Sequence, residues 1–177
     1  MLWRWSWALR RRWQQSRKGP LIFLCLFGGV VSALGFLVYS VYSYEDDRQA
    51  LTCLALNVYF EARGEPLAGQ FAVAEVTMNR LAARRYPKTV CGVVHQKNWD
   101  TLRGRYVGAF SWTELDEKPS LRSKEWRRAV EVADAVYYQR HTPTLNGALH
   151  YHATYIAPSW SKGQAPVAHI GRHVFYK

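Results

Sequence analysis

The strongest pattern in the sequence is an uninterrupted apolar run near its N-terminus. Residues 21–44 contain no charged side chain and consist mainly of Leu, Ile, Phe, Val and Gly. About 20 apolar residues are enough for a helix to cross a bilayer. The run therefore predicts one transmembrane helix, because a wholly apolar helix of this length is rare as the core of so small a domain.

The charges beside this run predict which side of the membrane each part occupies. Residues 1–20 carry no acidic side chain and six basic ones: Arg4, Arg10, Arg11, Arg12, Arg17 and Lys18. Basic flanks stay in the cytoplasm, so we predict a cytoplasmic segment at 1–20, an inner-membrane anchor at 21–44 and an exported, periplasmic domain at 45–177. A cleaved signal peptide is the alternative. However, the apolar run exceeds a normal signal core and no Ala-x-Ala site follows it.

Apolar residues recur at three- and four-residue spacing in three segments of the exported domain. This spacing predicts helices at 48–62, 67–85 and 120–141. Gly64 and Pro66 end the first helix, and Tyr86-Pro87 ends the second. Runs that alternate between apolar and polar residues at 148–153 and 173–177 predict strands. The segment 89–95 is short and rich in β-branched residues, and residues 97–118 are loop-like.

Composition limits the class of protein further. The chain has 177 residues and a net charge of +11, but six of its cations precede the apolar run, which leaves the exported domain only mildly basic. With 49% hydrophobic and 21% charged residues, it is too apolar for a disordered chain and too charged for a polytopic membrane protein. No basic repeat, RNA-binding aromatic motif or finger spacing is present, so we predict no nucleic-acid partner.

Two cysteines, Cys53 and Cys91, lie in the predicted exported domain, and Cys25 lies in the apolar run. An oxidising compartment would allow Cys53 and Cys91 to pair, which would contribute roughly 4 kcal/mol by the loop-entropy model. The sequence is equally consistent with two buried free thiols, because it does not show whether the Cα atoms of Cys53 and Cys91 lie close enough to form a disulfide.

Carboxylates cluster where the first predicted exported helix ends, in the segment Tyr59-Phe60-Glu61-Ala62-Arg63-Gly64-Glu65-Pro66. A carboxyl group that faces inward here would be poorly solvated, and its raised pKa would let it serve as a general acid. Glu61 is the candidate, although a surface carboxylate near a helix end fits the periodicity as well. We interpret Glu65 as structural, with Arg63 as its possible counter-charge, and Glu75 as either buried or solvated.

Six segments, in order, make the chain similar to the SleB-type cell wall hydrolases. They are Asn57 to Pro66, Gly69-Gln70 with Val76 to Arg80, Thr89 to Val94, Phe110 to Thr113, Ala148 to His152 with Pro158 to Trp160, and Ile170 to Tyr176. Each segment is weak alone, but six in sequence form a specific pattern. The sequence departs from the family at Ala109 and at Glu114-Leu115-Asp116, which puts the sugar contacts of this segment in question.

The resemblance implies a mostly helical, lysozyme-like α+β domain with a small β-sheet, placed after the transmembrane helix. It implies cleavage of the β-1,4 bond between N-acetylmuramic acid and N-acetylglucosamine in peptidoglycan, with Glu61 as the catalytic acid and no cofactor or metal. A lytic transglycosylase needs only this carboxylate, whereas a hydrolase needs a base or nucleophile as well. The substrate groove would be lined by Ser111, Trp112, Thr113, Tyr151 and His152, although Trp112 is equally well a core residue.

Two other classes of function remain as alternatives. His150 with His152, and His169 with His173, could supply ligands for the zinc ion of an amidase or peptidase, but no zinc signature is matched. A non-catalytic module that binds peptidoglycan or another envelope protein is the second alternative, because a fold does not guarantee its chemistry.

Overall fold

The computed structural model describes residues 19–177, so the predicted basic segment lies outside the described residues as far as Lys18. The chain divides into two compact units, Met1–Asp46 and Asp47–Lys177.

One helix, α1 (Gly19–Ala62), contains both the apolar run and the predicted helix at 48–62. The two segments form one helix because Glu45, Asp46, Asp47 and Arg48, which lie between them, include no Gly or Pro to end it. In the first unit the apolar side chains of α1 are exposed, and an 18-residue window reaches a mean hydropathy of 2.6. By length and composition α1 is therefore a candidate membrane span.

The second unit continues with three helices, five strands and two 3₁₀ turns. In chain order these are α2 (Leu67–Ala82), α3 (Val90–Val94), β1 (Lys97–Asp100), β2 (Arg105–Gly108), a 3₁₀ turn (Ser111–Glu114), α4 (Lys124–Tyr137), β3 (His150–Ala153), a 3₁₀ turn (Ser159–Ser161), β4 (Ala168–Ile170) and β5 (His173–Tyr176). The predicted class, mostly helical with a small sheet, is confirmed.

Three local predictions differ from the structure. The β-branched stretch at 89–95 forms α3, because the Thr89 hydroxyl accepts a hydrogen bond from the Gly92 amide and caps a helix. The predicted loop at 97–118 contains the antiparallel hairpin β1–β2. Helix α4 begins at Lys124 rather than near Ser120, since Ser123 accepts a hydrogen bond from the Trp126 amide.

The three-stranded sheet has the order β3-β5-β4, with both neighbours antiparallel to β5. Tyr151 and Ala168 both lie opposite Phe175, so these three side chains share one face of the sheet. This face covers Ala72 and Val76 of α2 and forms one core cluster with them. His150 and His152 lie on the other face.

A second core cluster lies among the helices. Leu54 and Val58 of α1 pack with Ala74 of α2 and with Val132 and Val136 of α4. Helix α2 contributes to both clusters and is therefore central to the unit. Burial of each Leu, Val or Phe side chain stabilises the fold by roughly 1.5–3 kcal/mol, and it fixes the end of α1 relative to the sheet.

Cys53 of α1 and Cys91 of α3 form a disulfide, with their Cα atoms 5.2 Å apart. The sequence left open whether these two cysteines are bonded or free, and in the structure they are bonded. Cys25 is free and exposed.

Candidate functional site

Glu61 lies in the last turn of α1, next to Ala62, where the helix ends. Its side chain is half-buried, and its Oε2 accepts a hydrogen bond of 2.9 Å from the Tyr151 hydroxyl. Burial raises the pKa of Glu61, and this effect exceeds the lowering caused by the Tyr151 hydrogen bond and by the charge of Arg80. The negative end of the helix dipole also disfavours the ionised form. The site thus holds the proton of the Glu61 carboxyl group more tightly than water does.

Tyr151 reaches Glu61 because strand β3 holds it on the core face of the sheet. Its ring packs against Phe175 and His173, with ring centres 5.6 and 5.1 Å away. Burial raises the pKa of Tyr151 well above its usual value, and the neighbouring Glu61 raises it further. The hydroxyl group therefore keeps its proton and serves as a donor to Glu61. Sequence reasoning assigned Tyr151 to substrate binding and missed this contact.

Arg80 and Asn79 at the end of α2 fix the start of strand β3. Asn79 Nδ2 donates to the Ala148 carbonyl at 3.0 Å, and Arg80 Nε donates to the Leu149 carbonyl at 2.7 Å. The Arg80 guanidinium also lies over the ring of Phe110, 5.1 Å from its centre. Arg80 thus orients the strand that carries Tyr151 and supplies positive charge near Glu61. Asn79-Arg80 is part of the family resemblance in sequence, but the role of these two residues is visible only in the folded structure.

Glu65 is fixed in the turn after α1 by Arg172, not by Arg63. Its Oε2 accepts a hydrogen bond from the Arg172 amide at 2.8 Å, and its Oε1 accepts one from Arg172 Nε at 2.7 Å. Burial alone would raise the pKa of Glu65, but the hydrogen bonds and charge of Arg172 outweigh it and keep the pKa below its usual value. Arg63 instead lies over the ring of Tyr59, at 4.9 Å. The counter-charge suggested for Glu65 was therefore the wrong one.

Gly171 allows Glu65 to approach, which gives a testable prediction. Its φ is +58°, and a Cβ there would overlap Glu65 Oε2 and lie 3.0 Å from Pro66 Cδ. We expect Gly171→Ala to lower the free energy of unfolding by about 3 kcal/mol, measured by urea denaturation, because backbone strain adds to the displacement of a buried carboxylate.

Gly163→Ala is the matched control for this prediction. Gly163 also has a left-handed φ, +80°, but nothing lies within 4 Å of an added Cβ. It should lose only the backbone contribution, about 1 kcal/mol. Equal losses in the two variants would show that the contact with Glu65 carries no stability.

Trp112 is held against the core by a hydrogen bond. Its Nε1 donates to Oδ1 of the buried Asn57 at 3.0 Å, while Asn57 Nδ2 donates to Thr77 Oγ1 at 3.0 Å. The Trp112 ring stacks on Phe60, with ring centres 4.8 Å apart. Trp112 is therefore half-buried next to the helix turn that carries Glu61, and its orientation is fixed.

The other residues predicted for the groove have different environments. Ser111 is exposed, and the Thr113 hydroxyl donates to the Phe110 carbonyl at 2.7 Å. His152 lies on the sheet face opposite Tyr151, where its Nδ1 contacts the Ala153 carbonyl and its Nε2 contacts the Tyr176 hydroxyl. No hydrogen bond joins any of these three residues to Glu61 in the part of the chain that the structure describes.

Glu75 is buried in α2 and fixes the loop that follows α4. Its two oxygens accept hydrogen bonds from the Thr144 amide and hydroxyl and from the Leu145 amide, and His141 Nε2 lies 2.8 Å from Oε1. The sequence left open whether Glu75 is buried or solvated, and in the structure it is buried. With its oxygens held in this way, Glu75 is a structural carboxylate.

The histidines do not form the set of ligands that a zinc site requires. His169 lies opposite Val174 in the sheet. His173 directly precedes Val174 in β5 and therefore points to the other face. Among residues 19–177, no group of three or more His, Cys, Asp or Glu is close enough to hold a metal ion.

Comparison with known proteins identifies the class. The sequence model of the Cell Wall Hydrolase family matches residues 64–176. The chain belongs to this family, and its resemblance to the SleB type is confirmed. The matched range begins three residues after Glu61, so it does not itself test that residue.

The individual relatives are spore cortex-lytic enzymes. That of Oceanobacillus iheyensis is 32% identical over 124 residues, and that of Bacillus cereus is 30% identical over 124 residues. Each alignment covers 70% of this chain but only 40% and 42% of the respective relative, so the chain spans about two fifths of their length.

Two solved structures are similar to this fold. The catalytic domain of the germination-specific lytic transglycosylase SleB from Bacillus anthracis has a TM-score of 0.55 and 29% identity, covering 72% of this chain and 93% of that one. The catalytic domain of the Bacillus cereus SleB protein has a TM-score of 0.53 and 27% identity, with 73% and 91% covered.

Proposed function

We propose that this protein is a membrane-anchored enzyme that cuts peptidoglycan glycan strands at the β-1,4 bond between N-acetylmuramic acid and N-acetylglucosamine, as a lytic transglycosylase. The main support for this proposal is the environment of Glu61. Its carboxyl group is half-buried at the end of α1, has a raised pKa and accepts a hydrogen bond from Tyr151. Membership of the cell wall hydrolase family and the likeness to a solved lytic transglycosylase support it.

In the proposed reaction Glu61 acts twice. Its carboxyl group first donates a proton to the glycosidic oxygen, so that the bond from muramyl C1 to this oxygen breaks and N-acetylglucosamine leaves with a free 4-hydroxyl group. The Glu61 carboxylate then accepts the proton of the muramyl C6 hydroxyl as that oxygen bonds to C1. The product is a 1,6-anhydro ring, Glu61 is again protonated, and no water is consumed.

The state of the neighbouring carboxylates supports this single-acid route. A hydrolase needs a second carboxylate as base or nucleophile within about 5–10 Å. Glu65 is bound through both oxygens to Arg172, and Glu75 is bound through both oxygens to the loop at 141–145. The pKa of Glu61 is shifted by burial, Tyr151 and Arg80, without a contribution from another carboxylate in the described residues.

Helix α1 is the proposed anchor of this enzyme. The apolar segment is long enough to span a bilayer, and the basic residues before it favour a cytoplasmic N-terminus by the positive-inside rule. The unit that begins at Asp47 would then act in the periplasm, close to the inner membrane. The disulfide fits this oxidising compartment.

The pH dependence of the reaction tests the role of Tyr151. A general acid must be protonated, so turnover should fall as pH rises through the pKa of Glu61. The Tyr151 hydrogen bond lowers that pKa, so Tyr151→Phe should move the alkaline limb of the pH–rate profile to higher pH and reduce the maximal rate about tenfold.

Tyr155→Phe is the control for this variant, because Tyr155 is 83% exposed. Its profile should match that of the wild type. An alkaline limb that stays in place or moves to lower pH in Tyr151→Phe would contradict the proposed contact between Tyr151 and Glu61.

The direct test of the proposed class is incubation of the full chain, in detergent, with purified peptidoglycan sacculi. We expect soluble glycan fragments to be released at the same rate with and without EDTA. Loss of release in EDTA would favour the zinc amidase or peptidase, and binding without release would favour a non-catalytic module.

A further inference from the structure

Two adjoining pockets lie next to the start of strand β3. Their volumes are about 370 and 350 Å³, and both have Arg85 and His150 in their walls. Arg80 and Tyr86 also line the first pocket, and Trp160 and Lys177 line the second. The two pockets adjoin because they share these two wall residues, and together we call them the basic cleft.

The basic cleft has an excess of positive charge. Arg80 and Arg85 line it, and none of its wall side chains belongs to Asp or Glu. Arg85 contacts His150 Nε2 at 3.3 Å and lies over the Tyr86 ring at 5.4 Å, but it forms no ion pair with a carboxylate in the described residues. By contrast, Arg105 is paired with Glu114 and Arg172 with Glu65. The cleft therefore retains arginine charge that is free to bind an anion.

The rings of His150 and Trp160 give the cleft a neutral, aromatic wall. Burial lowers the pKa of His150, and the charges of Arg80 and Arg85 lower it further, so the imidazole is neutral at physiological pH. Trp160 lies beside His150, with ring centres 5.6 Å apart, and is 41% exposed. A ligand with an apolar stem and an acidic end would match this combination.

The cleft begins close to Glu61. Arg80 lines the first pocket and also acts electrostatically on Glu61. Strand β3 is an edge strand, on which His150 faces the cleft and the next residue, Tyr151, points to the opposite face and contacts Glu61. Arg80 is common to both sides, so a substituent of the sugar that is cut at Glu61 would have to pass the free edge of β3 to reach the cleft.

We propose, on the basis of the proposed function, that the basic cleft binds the carboxylate-bearing substituent of the muramic acid residue at the cleavage point, with Arg85 as the principal contact. This substituent is a lactyl ether at O3, which ends either in its own carboxylate or in an acidic peptide. The two sources share the carboxylate chemistry that a guanidinium recognises with two parallel hydrogen bonds.

The experiment compares Arg85→Gln with the wild-type full chain in detergent on four substrates. These are sacculi with their peptides, sacculi denuded by an amidase so that lactyl carboxylates are exposed, and each of these after conversion of free carboxylates to neutral methylamides. The matched control is Arg128→Gln, which removes an equal charge from an exposed position of α4.

We expect Arg85→Gln to raise the half-saturating concentration of charged sacculi about tenfold, as the loss of one charge-assisted hydrogen-bonded pair implies, and to have no effect on the methylamidated forms. Arg128→Gln should behave as the wild type does. An effect confined to peptide-bearing sacculi assigns the carboxylate to the peptide, and an effect on denuded sacculi assigns it to the lactyl group. Equal losses on charged and neutral sacculi would overturn the proposal.

A binding measurement keeps this test separate from the proposed function. The Glu61→Gln chain, with and without Arg85→Gln, is sedimented with native and methylamidated sacculi. Weaker binding of the double variant to the native form alone supports the cleft even if the wild type cuts no substrate. Equal binding of both chains to both forms rejects the cleft even if cleavage is observed.

Discussion

Glu61→Gln is expected to lower the rate of glycan cleavage about 1,000-fold while the fold is retained, because the substitution removes the transferable proton and keeps the shape of the side chain. Glu131→Gln, at an exposed position of α4, is the matched control and should retain full activity. Release of soluble fragments from sacculi measures both. Activity of Glu61→Gln equal to that of the control would contradict the assignment of Glu61.

The stability of the same variant shows that any loss of activity is chemical. Because the pKa of Glu61 is raised in the folded state, its protonated form favours folding at low pH, and this contribution is lost as pH rises through the folded pKa. Gln carries no charge at any pH. The variant should therefore unfold at the same or a higher temperature than the wild type near neutral pH, and a large decrease would indicate a damaged fold.

The second large effect is expected from the disulfide. Removing it through the double substitution Cys53→Ser and Cys91→Ser should lower the free energy of unfolding of the unit Asp47–Lys177 by roughly 4 kcal/mol, because the bond closes a long loop, with a sequence separation of 38 between the two positions. Urea denaturation followed by tryptophan fluorescence measures the loss. Unchanged stability would show that the bond adds nothing to the packing of α3 against α1.

Cys25→Ser is the control, since Cys25 is an exposed free thiol in α1. It should not alter the unfolding of the second unit. The same cysteines report on location in the cell: if the unit is exported, thiol alkylation of unreduced protein that has been unfolded in SDS should label Cys25 and leave Cys53 and Cys91 unlabelled. Labelling of all three would contradict the proposed periplasmic location.

Sequence patterns predicted the helices well where amphipathic spacing dominates. Helices α2 and α4 were predicted from apolar positions at three- and four-residue spacing, because each buries one stripe in the core. Helix α3 was missed because a single contact, the Thr89 hydroxyl on the Gly92 amide, overrides the β preference of its valines. Strand β4 has three residues, too few for alternation to be visible.

The candidate site was predictable only in part, because its contacts are distant in sequence. Glu61 stood out through its neighbours and the family resemblance, but its partner Tyr151 is 90 residues away. Arg172 and Glu65, separated by 107 residues, meet only because β5 and the turn after α1 are adjacent in the fold. Local spacing instead suggested Arg63, which the helix directs over Tyr59. Pairings of this kind depend on packing and leave no local signal.

Mass spectrometry of the fragments that the full chain releases from sacculi in H₂¹⁸O distinguishes transglycosylation at Glu61 from hydrolysis. A lytic transglycosylase that uses Glu61 alone consumes no water, so we expect 1,6-anhydro-N-acetylmuramic acid ends without ¹⁸O, and about 1,000-fold fewer of them from Glu61→Gln. Reducing ends that carry ¹⁸O would contradict this mechanism, because they require a water nucleophile and a second catalytic group.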